Sequence, residues 1–353
     1  MQPHGAVPPQ ASGEAVRPKA EWSVRPAQAG VSSARAGGEA ARSKGGSRRA
    51  SRRGRTGFIV GALLPALVLH AVFVLSPYAQ AFYLSLTDWT GVAGNAHFVG
   101  AANYRRLGND TLFLDAVRNN AVMLLVVPVV TIAVGLFLAS MLHLGGRSGR
   151  AGIGGSRIYQ IVYFFPQLLS LSIVAVLWEF VYNPTNGLLD GALRGVGLGG
   201  LARSWLAEPN LALPAVMAVL VWSSVGFYMV LFSAAMDAIP KELYEAALLD
   251  GASSWATFRR ITFPLLRDTV QVAFVYLSIA AFDGFTLVQI MTVGPGGPDG
   301  ATEVIGLSLY RTAFTYGRFG YASAMGVALF FATLTVAVLA LRGGRKNRTE
   351  LAG

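Results

Sequence analysis

The chain has 353 residues, of which 53% are hydrophobic and 13% charged, against roughly 25% charged in an average soluble protein. That leaves too few charges to cover the two or three soluble domains that length alone suggests. It also fits poorly with an extended disordered chain or a nucleic-acid-binding domain, so a polytopic membrane protein is the class that remains. The net charge of +11 is unevenly spread: residues 1–55 hold eleven Lys or Arg and three Glu, and the other 298 residues hold eighteen basic and fifteen acidic groups.

Residues 1–55, rich in Ala, Gly, Ser, Pro and Arg, cannot bury a core and are predicted to be a disordered basic cytoplasmic tail. The end of the tail, 47–55, precedes the first apolar stretch and reads as a positive-inside anchor on anionic lipid, with a regulatory or partner-binding role as the alternative. A cleavable secretory signal has a 7–15-residue apolar core, so the longer stretch starting near Phe58 is expected to stay. Six charge-poor stretches then follow in order. Arg55 to Asp88 encloses 32 uncharged residues, Arg118 to Arg147 encloses 28, Arg157 to Glu179 encloses 21, Glu208 to Asp237 encloses 28 and Arg318 to Arg342 encloses 23. A further stretch runs from after Asp268 to about Thr292, interrupted by Asp283. Each reaches the ~20 residues that a helix needs to cross a bilayer. The expectation is therefore an all-α fold with six transmembrane helices in a domain over 56–342, followed by a short tail over 343–353. Cytoplasmic termini would place 22 of the 29 basic residues inside, in the segments 1–55, 143–157, 238–268 and 342–353, in line with the positive-inside rule.

The chemistry that is missing narrows the function. With no cysteine there is no disulfide, thiolate metal site or Cys nucleophile, and the four histidines lie at no metal-ligand spacing. None of Lys19, Lys44, Lys241 and Lys346 follows a glycine, which excludes a GxxxxGK[ST] phosphate loop. Charge inside the spans is limited to Asp283, with Glu179 near a helix end, whereas ion-coupled pumps usually carry denser relays. Asp283 lies about 22 Å along the helix from Asp268 and is expected to face a cavity or a partner.

The 238–268 loop is the most informative segment. Pro240 suits a first helical position, 241–250 is rich in helix formers, and Gly251 suits the left-handed residue after a helix end. Ser253 or Ser254 could cap a second helix, expected to stop before Pro264. Ala246, Ala247, Gly251 and Ala252 would admit a close backbone, and Trp255, Phe258 and Ile261 would form an apolar ridge. The residues alone leave two readings open: a docking surface, or an interfacial helix lying on lipid.

Glu245-Ala246-Ala247, then Gly251, Ile261 and Pro264, resembles the EAA signature of binding-protein-dependent ABC importer permeases, with Phe263 where Leu is usual. The resemblance extends over nearly everything after residue 58. FVGAANYRRL (98–107), Arg118-Asn119-Asn120, YNPTNGLLD (182–190), VGPGGPDGATE (293–303) and the 310–324 segment are similar to the carbohydrate branch, in particular to the maltose-type first permease subunit. The resemblance implies the type I importer permease fold and a sugar or oligosaccharide translocated through the membrane. It also implies no catalysis and no cofactor in this chain, with ATP bound by partners. Those partners would be a second permease subunit forming a heterodimer, two ATP-binding subunits, and an extracytoplasmic solute-binding protein or lipoprotein. The location implied is the bacterial plasma membrane, with lipid as the remaining partner and no nucleic acid. Glu245 would supply polar contact to the ATPase, Ala246 and Ala247 close packing, and Gly251 the turn. Ile261 and Pro264 would set the second helix and its exit.

Sugars are held by hydrogen bonds and aromatic faces, so Gln167, Ser170, Trp222, Ser224 and Asp283 are the candidates for the substrate path, with Ser172 and Ser223 beside them. Each has an ordinary alternative. Trp222 would be a packed aromatic, the serines would bond back to their own helices, and Gln167 would satisfy a carbonyl freed by Pro166. A secondary transporter or channel without an ATPase, or a membrane scaffold that docks a cytoplasmic partner, are the competing functions.

Overall fold

The computed structural model of the protein describes residues 60–92, 96–144, 156–282, 284–292, 294 and 296–346. The chain divides into two units, Met1–Leu67, of which only 60–67 are described, and Val68–Gly353, which holds the packing that follows. Among the described residues no strand is present beyond one isolated bridge between Thr87 and Phe98.

In chain order the helices are α1 (Val60–Leu84), α2 (Ala102–Leu107), α3 (Thr111–Leu144), α4 (Ser156–Leu168), α5 (Leu171–Val181), α6 (Leu188–Gly195) and α7 (Pro209–Asp237). They continue as α8 (Lys241–Leu249), α9 (Ser254–Leu265), α10 (Arg267–Phe282), α11 (Phe285–Met291), α12 (Ile305–Tyr310) and α13 (Phe319–Lys346). A π-helical turn, Arg311–Thr315, extends α12. Helices α1, α3, α7 and α13 are each long and apolar enough to cross a membrane, and the pairs α4/α5 and α9/α10 become candidate spans when each bent pair is counted as one, giving up to six.

Two of the expected spans are not straight. The 158–178 stretch bends by 99° between α4 and α5. Pro166 has no N–H for the helix ladder, and Ser170 takes an extended conformation (φ −63°, ψ 145°) in which its side chain accepts the Ile173 N–H and caps α5. The 269–292 stretch ends its first helix at Phe282 and restarts at Phe285. The 16 residues of α10 reach only about 24 Å of the ~30 Å hydrocarbon core, and α11 packs against α5, so the two broken pieces lie together. Helix α3 also departs from expectation. It begins at Thr111, ahead of the charge-free stretch, because the Asp110 carboxylate accepts the Phe113 N–H at 3.3 Å and caps it.

Helix α7 is the centre of the packing, touching α3, α4, α5, α10 and α11. Its buried residues, including Val216, Val219, Met229 and Phe232, occur all round the helix, as expected of a helix that is apolar on every side. Close approach depends on small residues. A Cβ on Gly226 would fall on the Tyr163 carbonyl of α4, and a Cβ on Gly135 of α3 would meet the Met229 backbone at 3.4 Å. Residues 60–80 of α1, by contrast, are exposed throughout, a surface suited to lipid or to another subunit.

Polar side chains clamp the ends of the spans opposite the 238–268 loop. Asn120 donates to the Ala281 carbonyl at 3.2 Å and accepts the Ile305 N–H at 2.9 Å, joining α3, α10 and α12. Asn119 donates to the Ala301 and Glu303 carbonyls at 3.2 and 2.9 Å. Glu303 is 0% exposed. It pairs with Arg311 Nη1 at 2.9 Å and accepts the Ser308 hydroxyl at 2.5 Å, so the buried charge is both paired and hydrogen-bonded. Gly296 and Gly297 turn at positive φ against this group, and a Cβ on either would collide with Glu303 or Thr302.

Candidate functional site

The 238–268 loop folds as two helices joined by a turn that local residues specify. Pro240 is the N-cap of α8 (φ −54°, ψ 130°) rather than its first helical residue. At the other end Gly251 sits at φ +71°. Its N–H bonds the Leu248 carbonyl at 3.1 Å, and the Ala252 N–H bonds the Ala247 carbonyl at 2.9 Å. This pair of bonds is the Schellman motif, which requires a left-handed residue at that position. Of the two serines, Ser253 is the cap, accepting the Ala256 N–H at 3.2 Å. A hydrogen bond of 3.2 Å between the Tyr244 and Thr262 hydroxyls ties α8 to α9.

The second helix does not stop before Pro264. It passes through a π-helical turn, Phe258–Thr262, in which the Phe263 N–H bonds the Phe258 carbonyl. The wider turn and the restart at Phe263–Leu265, with Pro264 in its first positions, accommodate a residue that has no N–H to offer. Leu266, 1% exposed, then anchors the exit in the core shared by α3, α7 and α10, and the chain bends by 69° into α10.

The predicted coupling residues divide by exposure. Glu245, Ala246, Gly251 and Pro264 are exposed, Ile261 is half-buried, and Ala247 is buried against its own chain. Leu248 (72% exposed), Leu249 (88%) and Trp255 (68%) flank the Gly251 turn. Trp255 stacks on Phe258 at 5.7 Å and 23°, and Phe258 packs on the core. The ridge expected from Trp255, Phe258 and Ile261 therefore has one exposed and two half-buried members. Large apolar side chains beside an exposed carboxylate, on a turn fixed by two backbone bonds and the Ser253 cap, suit contact with another protein.

The substrate-path candidates are not all gathered in one place. Gln167 is exposed near the end of α4, Ser170 is engaged in capping α5, Ser172 is exposed, and Ser224 is half-buried on α7. Ser223 donates to the Leu220 carbonyl at 3.0 Å, the back-bonding alternative. Asp283 lies outside the described residues. Trp222 is 40% exposed and ends a run of aromatic rings. Trp178 meets Trp222 edge-on at 5.2 Å and Tyr182 at 5.1 Å, and Tyr182 meets Trp205 at 6.3 Å. Trp205 Nε1 donates to the buried Asp190 at 2.7 Å, and Tyr182 Oη donates to the Ala215 carbonyl at 3.3 Å. Burial pushes the Tyr182 phenol up to about 12, so it remains a neutral donor. Trp178, Tyr182, Trp205 and Asp190 were not singled out from the sequence, although the four-residue spacing of Trp178 and Tyr182 puts them on one helix face.

Residues 121–343 match the family model described as "Binding-protein-dependent transport system inner membrane component". A Streptomyces coelicolor protein named diacetylchitobiose uptake system permease protein is 43% identical over 311 residues, covering 86% of this chain and 88% of that one. A Streptococcus mutans protein named multiple sugar-binding transport system permease protein is 33% identical over 284 residues, covering 80% and 94%. Among solved structures, a chain of a bacterial ABC transporter for import of the acidic polysaccharide alginate aligns with a TM-score of 0.69 at 22% identity, over 85% of this chain and 99% of that chain. A second alginate transporter structure, in complex with its alginate pentasaccharide-bound periplasmic protein, gives 0.70 over 84% and 96%. At that identity the structures show the fold, which is that of an ABC importer permease. With its several apolar helices, the chain belongs to the binding-protein-dependent transport system inner membrane components, the permease subunits of ABC importers, and is a multi-pass membrane protein.

Proposed function

We propose that this permease imports a sugar or oligosaccharide delivered by an extracytoplasmic solute-binding protein, and that it works beside a second permease above two ATP-binding subunits. Both termini lie in the cytoplasm in this reading. ATP is bound and hydrolysed by the partners, and the chain itself holds no cofactor. The observation that carries the coupling role is the α8/α9 pair. It presents Glu245, Ala246 and an exposed apolar rim on a turn whose geometry Gly251 and Ser253 fix, with its exit anchored by Leu266 in the core of α3, α7 and α10. Movement of the ATP-binding subunits would pass through this rigid pair into those helices, giving alternating access by rigid elements. The test is ATP hydrolysis by the purified complex with and without sugar-loaded binding protein. Hydrolysis indifferent to the binding protein would overturn the reading.

Sugar as the substrate class rests on the named uptake systems of the 43% and 33% identical relatives, and diacetylchitobiose is the first ligand to try. Within the path, the half-exposed ring of Trp222 offers an apolar face at the open end of the aromatic run, with Ser224, Gln167, Ser170 and Asp283 as further contacts. Trp222→Ala removes that face while leaving Trp178 and Tyr182 in contact. The expected outcome is normal assembly with transport reduced about tenfold, the effect of roughly 1.4 kcal/mol of lost transition-state binding. Unchanged uptake kinetics in vesicles would reduce Trp222 to a packing residue.

A further inference from the structure

On the side of the spans opposite the 238–268 loop, a cavity of about 290 Å³ opens between α2, the start of α3, the π turn after α12 and the start of α13. Arg106, Arg311 and Arg318 reach its wall from three separate segments, together with Asp110, Tyr316 and Tyr321. The two carboxylates nearby are already engaged. Tyr321 Oη donates to Asp110 Oδ2 at 2.7 Å, and Asp110 Oδ1 takes the Phe113 N–H at 3.3 Å. Glu303 is held by Arg311 Nη1 and Ser308. Three guanidinium groups against two carboxylates leave one positive charge. The Arg106 guanidinium lies 4.6 Å over the Tyr321 ring, which orients it, and Arg311 Nε is buried with no partner among the described residues. The exposed rings of Tyr310, Phe314 and Tyr316 lie along the same stretch of chain, the residue types that mark the headgroup level of a bilayer.

We propose that this cavity binds a phosphate-bearing anion. Guanidinium groups suit phosphate because their planar forks donate paired hydrogen bonds to its oxygens. Two sources share that chemistry, the headgroup of an anionic phospholipid and free inorganic phosphate. The site is separate from the coupling turn and from the aromatic run, and it does not depend on the sugar reading.

The test uses the full-length chain with its co-purifying subunits in nanodiscs of phosphatidylglycerol or of phosphatidylcholine. Native mass spectrometry counts retained lipid, and thermal melting in the phosphatidylcholine discs follows a titration with inorganic phosphate. The double variant Arg106→Gln/Arg318→Gln alters two exposed arginines and leaves the Arg311–Glu303 pair alone. For a lipid headgroup, the wild type retains phosphatidylglycerol about tenfold more than the double variant, and phosphate does not move the melting midpoint. For free phosphate, the midpoint of the wild type rises with phosphate and that of the variant does not. If the double variant fails to assemble, the wild-type phosphate titration and the comparison of the two lipids decide alone. The proposal is overturned if the wild type retains both lipids equally and phosphate leaves its midpoint unchanged, or if the variant matches the wild type in both measurements.

Discussion

Gly226→Val is expected to abolish accumulation of the folded permease in the membrane. Helix α7 meets α4 at this residue so closely that a Cβ would lie on the Tyr163 carbonyl, with the Phe164 nitrogen 2.8 Å away. Overpacking a core usually costs about 1–3 kcal/mol because side chains rotate out of the way. Here the obstacle is backbone in a helix that is itself packed, so relief requires α4 to move away from α7. A displaced α4 also disturbs the bend at Ser170 and the seating of α5. Gly191→Val is the matching control, since its Cβ would meet nothing within 4 Å. Membrane levels and thermal melting of the solubilised protein check the prediction. A Gly226→Val protein as abundant and as stable as Gly191→Val would mean that α4 and α7 are not in backbone contact.

The role of Gly226 is not legible in the sequence, where it is one of 41 glycines within an apolar run. Close approach is a property of two segments that lie more than sixty residues apart, and it leaves no local mark. The bend at Ser170 is hidden for a similar reason: a serine inside an apolar helix and a serine capping a new one read alike, and Pro166 gives only a partial hint. Glu303 lies between two charge-poor stretches, yet it is buried, because its partner Arg311 comes from the next helix and the glycine at 296 leaves room for its side chain. The six charge-poor stretches and the 238–268 helix pair, by contrast, are visible from the chain itself. Hydrocarbon thickness sets the first, and caps within a few residues of one another set the second. Pro264 shows the limit of that local reading, since a π turn five residues long carries the helix past it.

Gly251→Val is expected to leave a six-span protein in the membrane that no longer couples ATP hydrolysis to delivered substrate. With φ at +71° and nothing within 4 Å of an added Cβ, the substitution meets no steric wall, and its cost is the left-handed backbone itself, about 1–2 kcal/mol. That is too little to unfold a packed bundle whose stability is of order 5–15 kcal/mol. It is enough to favour a different end to α8, losing the bonds from Gly251 to Leu248 and from Ala252 to Ala247. The consequence is geometric: Glu245, Leu248 and Leu249 on α8 would no longer hold a fixed orientation to Ser253 and Trp255 on α9. Gly251→Asn provides the discriminating companion, because asparagine tolerates the left-handed region and adds similar bulk. Stimulation of ATPase activity by sugar-loaded binding protein should therefore survive in the Asn variant and be lost in the Val variant, at equal membrane levels. If the Val variant is stimulated like the wild type, the turn does not set coupling. If the Asn variant fails as completely as the Val variant, the requirement at this position is the space taken up by a docked partner and not the conformation of the turn.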